Sequence, residues 1–576
     1  MFKKQILSFE FWMEAIWLLM VVLLPLVFFP NLFTTFELAK VTVFKGLSLL
    51  LFLLWITRAM VKGEIPMVHS SQGKAVKGLL LALAIFLIVT VIATVVSVAP
   101  ALSFFGWYPR FQGLYTMFFY VLTGLVMFFE VKHEPQKNRL MLAMMLGMGI
   151  ACLLALLQKF VPGFLQWWND DEFLGRAYGT LANPNYLAAY LLMILPVSAV
   201  HVLRGKYRWF SLIVLGLAFI TLLFTLSRSG LVAFAGIFVM LAGLLAVRRR
   251  SWKMLTGVLM LPLLGVAFFW YIAAHAQPEW ATKIPFMERL MTNEESASSA
   301  RTRITMWPAV LQQIFTSPVI GYGPETFAVT FPSFAPASMN TREDQGEIAD
   351  HAHNEVLDTA VQIGIPGTVA YYLFLLGLVF AAGKFFLRNR DHAPAQDQWL
   401  ALGFGTGLLG LIIANQFGFS VTVHWVFLVI FAAVLLRTFA GEKYFYVQTY
   451  ALRLRCKIII VLLVMLPALG MFWLHDLQHL LADTHMRDGY GMVTFAEFPS
   501  TAKEYKSAME LSPVEPFYAV NYSYLQLQRM YETQDLSAME IRDAYAAALH
   551  GARLRGYDSF PVSIALEIKK ISGLTF

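Results

Sequence analysis

The sequence predicts an all-α protein: a polytopic bundle of about thirteen transmembrane helices, a long polar loop and a small helical domain at the C-terminus. Three observations predict it. Of 576 residues, 58% are hydrophobic and only 14% charged, and the mean hydropathy of +0.63 places the chain among membrane proteins. Apolar runs of about 18–24 residues, the length a bilayer crossing needs, recur along it. Lys and Arg gather in alternate connections between those runs.

The runs fall at roughly 11–30, 41–61, 78–99, 113–130, 140–161, 181–203, 209–226, 230–247, 254–275, 360–383, 397–415, 417–436 and 458–475. The opening "MFKKQILSFEFWMEAIWLLMVVLLPLVFF" has a short basic start and no small-residue cleavage site, so it reads as an uncleaved first span. Cys152 lies in an apolar run and Cys456 in a basic connection, which argues against a disulfide. The net charge of +8 does not call for nucleic acid. In a membrane protein such an excess marks the cytoplasmic side.

Counted by side, the connections at 1–10, 58–77, 131–139, 204–208, 248–253, 384–396 and 437–457 hold 24 Lys and Arg. The opposite set, up to residue 475, holds 11. The first set is therefore expected in the cytoplasm, with the N-terminus inside and both the 276–359 loop and the 476–576 segment outside. The chain divides accordingly into a membrane domain, 1–475, and an external helical domain, 476–576. In the latter, "TAKEYKSAMELSPVEPFYAVNYSYLQLQRMYETQ" has helical periodicity around a Pro-containing turn. Ala502, Ala508 and "ELSP" suggest a tetratricopeptide-type hairpin, and "AYAAALHGARLRGYDSFP" an irregular second copy. An ordinary helical tail is the plainer alternative.

Polar residues on the expected outer face gather in four places: "GRAYGTLANPNYLAAY", "LSRSG", "SSARTRITMW" and "DHAHNEVLD". A charge at membrane depth costs at least ~2.5–3.5 kcal/mol. Arg228 therefore either snorkels to lipid phosphate or binds an anion in a cavity. Residues 276–350 carry five basic groups against nine acids, so Arg301 and Arg303 are not part of a diffuse basic surface. Arg303 and Trp307, four apart, share a face if helical, which suits a guanidinium held ready to fork onto phosphate.

His351 and His353 admit three readings. As metal ligands their i, i+2 spacing suits a strand, and no third ligand follows at a helical interval. They are otherwise structural histidines, or one is a general base, for which neutral imidazole suits removal of a hydroxyl proton near pH 7. Asp350, Glu355 or Asp358 could orient the ring, and Asn354 could cap the helix that follows. "IGIPG" then breaks that helix. Asn183-Pro184-Asn185 either starts a helix, as Pro at a first turn does, or presents amides to a substrate.

Taken together, "TLSRSG", "SARTRITMWPAVLQQIFTSPVIGYGPETF", "HAHNEVLDTAVQIGIPG" and "GTLANPNYLAAYLL" resemble the bacterial O-antigen ligase superfamily of ligases, polymerases and protein O-oligosaccharyltransferases. The resemblance covers about residues 30–440, and the last span and helical tail depart from it. It implies an enzyme of the bacterial cytoplasmic membrane that moves a glycan from undecaprenyl pyrophosphate to an acceptor hydroxyl on a glycan, lipid or protein, using neither nucleotide nor metal. It further implies His353 as the base, Arg228 and Arg303 as pyrophosphate ligands with Arg301 as helper, and His351, Asn354, Asp350, Asn183 and Asn185 in support. A lipid-linked sugar flippase is the competing class, and a receptor scaffold a third. A flippase does not readily explain an outer loop that carries the main polar motifs.

Overall fold

The computed structural model describes residues 8–68, 73–161, 164, 173, 175–205, 207–274, 294–336, 339, 349–451, 453–491, 498–532, 536–554 and 560–573. Each of the thirteen apolar runs is helical: α1 (Phe9–Leu23), α2 (Glu37–Lys62), α3 (Lys74–Val95), α4 (Leu114–Glu130), α5 (Glu134–Phe160), α6 (Pro184–Arg204), α7 (Arg208–Phe224), α8 (Arg228–Arg248), α9 (Trp252–Ala274), α11 (Glu355–Phe386), α12 (Gln396–Ala414), α13 (Thr422–Ala440) and α14 (Leu454–Met471). Between α9 and α11, α10 (Glu294–Thr316) lies in the long loop. Residues 275–293 and 340–348, with the loop charges expected there, lie outside the described residues.

Among the described residues nine helices are long and apolar enough to cross a membrane. Leu114–Glu130, Arg208–Phe224 and Trp252–Leu261 are shorter apolar stretches, and α1 has 15 residues. Helices α6, α12 and α13 are the most enclosed and form the centre of the bundle, with α6 packed along α12. Among the described residues the one departure from an all-α reading is a two-stranded antiparallel ribbon, β1 (Glu64–Val68) with β2 (Phe445–Thr449), which pairs the connections after α2 and α13. Five-residue strands are too short for periodicity to reveal. At the same end of α2, Arg58 pairs with Glu130 at 2.6 Å.

The "IGIPG" stretch does break its helix, and the break is used. Gly364 sits at φ 71°, ψ 174° inside α11, a left-handed value that glycine alone adopts without strain. Pro366 has no N–H to give, and the Ile365 N–H turns away to the Pro318 carbonyl at 2.8 Å. The Val361 and Gln362 carbonyls thereby lose their intrahelical partners. Tyr322 N–H (2.8 Å) and Gly323 N–H (2.9 Å) take their place. The "GYGPETF" and "IGIPG" motifs are thus two halves of one joint that fastens the end of the long loop to α11.

Helix α14 continues without interruption through a π-helical stretch, Phe472–Leu477, into α15 (Gln478–Gly491). Four further helices follow: α16 (Phe498–Leu511), α17 (Pro516–Glu532), α18 (Ala538–Leu554) and α19 (Phe560–Ser572), each packed on its predecessor. The tail shares an apolar core with the bundle, in which Leu38, Tyr108 and Phe111 meet Ala482, Met486 and Tyr518. Polar contacts reinforce the joint. Lys45 and Asp476, both buried, pair at 2.7 Å. The Asp483 carboxylate accepts from Thr34 N–H (2.8 Å), Thr34 Oγ1 (3.0 Å) and Tyr108 Oη (2.5 Å).

Candidate active site

The site is assembled where residues 349–354 lead into α11. Asn354 caps that helix: its Oδ1 accepts from Val356 N–H (3.0 Å) and Leu357 N–H (3.2 Å), while its Nδ2 donates to the Gln416 carbonyl (3.1 Å). Ala352 is pinned from two sides. Its carbonyl accepts from Trp307 Nε1 of α10 at 3.0 Å, and its N–H donates to Asp358 Oδ1 at 2.7 Å. Between these fixed points His353 is held at φ 51°. A left-handed non-glycine residue costs of order 1 kcal/mol, and such strain persists only where the surroundings dictate it.

The two histidines are set apart by what surrounds them. His351 is buried, stacked on Phe419 at 3.8 Å between centroids, with Nδ1 3.4 Å from Asp358 Oδ2. That is ion-pair distance without hydrogen-bond alignment. Burial is the largest influence and opposes its charge, but the Asp358 and Asp350 carboxylates together outweigh it and hold His351 above the usual range. His353 is half-buried, 5.8 Å from the Phe419 centroid. Burial, then the positive fields of Arg303 and His351, push it down to about 4. At neutral pH His353 is therefore uncharged, the form a general base requires.

Arg303 lies one turn before Trp307 on α10, half-buried, so both side chains of the expected face serve the 349–354 segment. Burial lowers its pKa, yet a guanidinium remains charged at any physiological pH. Arg301 is exposed, two residues earlier. Arg228 is also exposed, at the first position of α8, whose cap is Ser227 with Oγ accepting from Gly230 N–H at 3.2 Å. Its turn is tied back towards the histidines in steps. Ser227 Oγ donates to Asn185 Oδ1 (2.9 Å), and the neighbouring Tyr186 ring packs 5.6 Å from Phe419.

Asn183 and Asn185 have structural work. Asn183 caps α6 through Asn185 N–H at 2.8 Å. Asn185 Oδ1 also accepts from Arg176 at 3.2 Å, while Arg176 Nε reaches the Thr225 carbonyl at 2.9 Å. The helix-start reading is the one this geometry displays.

Sequence reasoning missed Arg110. Its guanidinium lies 2.5 Å from Asp350 Oδ2 and 5.2 Å from the Phe419 ring centroid. Burial would raise the Asp350 carboxyl, but Arg110 prevails and draws it down to about 2. Phe419, which carries both histidine rings and Arg110, was missed as well. The available signal was the polar turn "GWYPRFQG", on the same expected face as the long loop.

A helical bundle with nine membrane-length helices among the described residues and a cluster of titratable groups at one end defines a polytopic membrane protein with a polar site. Residues 212–372 match the family model described as O-Antigen ligase. That segment holds Arg228, Arg301, Arg303, His351, His353 and Asn354, and leaves out Arg110, Asn183, Asn185 and Phe419. The match supports a glycan-transferring membrane enzyme of ligase or polymerase type. No curated protein matches the chain.

Proposed function

We propose that this protein transfers a glycan from undecaprenyl pyrophosphate to an acceptor hydroxyl on the outer face of the bacterial cytoplasmic membrane, without metal and with inversion. The observation that carries this reading is His353 fixed between the anchored Ala352 and Asn354, in the field of Arg303 and within the segment that matches the ligase family. His353 takes the proton of the acceptor hydroxyl. The new bond forms from that oxygen to the anomeric carbon as the bond from the anomeric carbon to the phosphate oxygen breaks. The pyrophosphate leaves on the polyprenol, its charge met by Arg228 and Arg303 with Arg301 alongside. Attack opposite the leaving group inverts the anomeric centre.

The test is turnover on a preformed lipid-linked glycan by the purified protein in detergent. Release of polyprenyl pyrophosphate coupled to product is expected. A protein that binds the donor and releases none would be a flippase.

In the same assay Arg228→Lys and Arg303→Lys lose most activity although charge is kept, because a forked guanidinium contacts two phosphate oxygens and an ammonium only one point in space. Turnover and donor affinity at the wild-type level in both variants would assign these arginines to packing.

In this reading residues 1–475 form the catalytic membrane domain and 476–576 an external helical-repeat domain that docks a partner or substrate. The sequential packing of α16 to α19 supports such a repeat. A reporter fused after Phe576 is then active only outside the cytoplasm. Activity only inside would overturn the odd number of crossings.

A further inference from the structure

The joint between tail and bundle holds a pocket of about 70 Å³. Its bundle wall is the connection between α3 and α4, with the short helix Pro100–Phe105 and the turn through Trp107. Its tail wall is Glu515, which precedes α17, beside the end of α18. His475, from the π-helical stretch, forms a third wall. At roughly 10–15 Å³ for one water, the pocket holds about five to seven waters, comparable with one pyranose ring.

Glu515 and His475 give the pocket its polarity. The Glu515 carboxylate accepts from Phe517 N–H at 3.0 Å. The positive end of a helix favours negative charge at that place, and a carboxylate has about four acceptor sites, so it can take further donors. His475 is the observation that points to a ligand. It is 6% exposed, and its ring is stacked against Phe105 at 4.2 Å and His479 at 4.5 Å between centroids. Its Nδ1 has no hydrogen-bond partner among the described residues. Leaving a buried polar atom unbonded is unfavourable, and a group in the pocket would satisfy it.

Among the described residues no Lys or Arg lines the pocket. A hydroxyl donates to the carboxylate and can either donate to or accept from the imidazole. It therefore answers both tautomers, which an ammonium, a donor only, does not. Phe105 and Trp107 offer aromatic walls for the C–H face of a sugar ring. Position relates the pocket to the histidine segment. Trp107 N–H donates to Glu325 Oε2 at 3.2 Å, and three residues on Arg110 holds Asp350. At most ~11 Å of chain separates Trp107 from Arg110, so a glycan of several units held at the histidines reaches the pocket.

We propose that this pocket binds an uncharged sugar unit of a glycan substrate, away from the reacting carbon, so that the tail takes part in choosing the glycan. The proposal rests on the glycosyl-transfer reading. The sugar chemistry is common to donor and acceptor glycans, and the experiment separates the two.

The experiment uses the full-length protein in detergent with Cys456→Ser, which removes the exposed cysteine, and Ala101→Cys, which places a thiol on the exposed rim of the pocket. Cys152 is buried and stays. The rate of maleimide labelling at Ala101→Cys is followed in the presence of methyl glycosides of glucose, galactose, N-acetylglucosamine and rhamnose. At least one glycoside is expected to slow labelling saturably, while sorbitol at equal concentration does not. Glu515→Gln keeps an amide oxygen for Phe517 N–H and loses the charge-assisted bond to the sugar, so the half-protecting concentration should rise ~10- to 100-fold. Unaltered protection in Glu515→Gln, protection by an alkylammonium but by no glycoside, or no protection at all would overturn the assignment. Two further probes identify the source: the lipid-linked glycan extracted from cells lacking the protein, and the envelope polysaccharide of the same cells freed of lipid. Protection by the first alone assigns the pocket to the donor chain, and by the second alone to the acceptor. Labelling needs no turnover. Protection in a protein that transfers no glycan therefore sinks the catalytic reading alone, and transfer without protection sinks this one.

Discussion

His353→Asn should abolish glycan transfer, with a loss of ~100- to 10,000-fold, while donor binding stays close to wild type. Asparagine is the informative replacement because it tolerates the left-handed backbone at this position better than alanine. The variant therefore removes the base without breaking the segment. His351→Ala is expected to act differently. It empties the face of Phe419 and leaves Asp358 without its opposing ring, so folded yield should fall more than turnover per folded molecule. Equal loss in both variants, restored by a divalent cation, would revive the metal-ligand reading. The acid limb gives a second check. Burial and Arg303 hold His353 down to about 4, so the free enzyme keeps a neutral base until pH falls through that value. The low-pH limb of kcat/KM should lie near pH 4. Replacing Arg303 with Gln removes one depressing charge and should move the limb upward; a limb that stays in place would mean that Arg303 does not act on the base.

Asp476→Ala should destabilise the protein by about 3–5 kcal/mol, because it strands the Lys45 ammonium in apolar surroundings with its partner gone. It also removes the acceptor for Tyr115 Oη at 2.9 Å. The measurement is thermal unfolding in detergent. The double variant Lys45→Met, Asp476→Leu should recover most of the loss, since an apolar pair of similar volume does not leave an orphaned charge. Equal melting of Asp476→Ala and wild type would mean that water or lipid headgroups reach Lys45.

The parts of this fold that depend on neighbours in sequence were legible, and those that depend on distant partners were not. Apolar runs became helices because hydrophobicity sustained over membrane length has few other solutions. Asn354 and Pro184 could be placed at helix starts because capping and proline geometry are local. The "IGIPG" break was visible, but its dependence on Tyr322 and Gly323, some forty residues earlier, was not. Arg110 and Asp350 are separated by 240 positions, and nothing near either residue announces the other. Phe419 looked like one aromatic among many, and only the fold shows His351, His353 and Arg110 gathered against it. The ribbon of β1 and β2 escaped for a related reason. Its strands are short, and they find each other across most of the chain.

The joint between tail and bundle bears on how such a protein can change over generations. A terminal domain attached by a loose tether can be lost in one step, with the remainder intact. Here Asp476 neutralises a lysine inside the bundle, and Asp483 satisfies Thr34 and Tyr108. Losing residues 476–576 would leave a bare ammonium and unsatisfied donors behind, so a shortened descendant must first replace Lys45 and Tyr108. Those replacements weaken the intact protein while the tail is still present. The order of events is unfavourable, and tail and bundle are bound to be inherited as one unit.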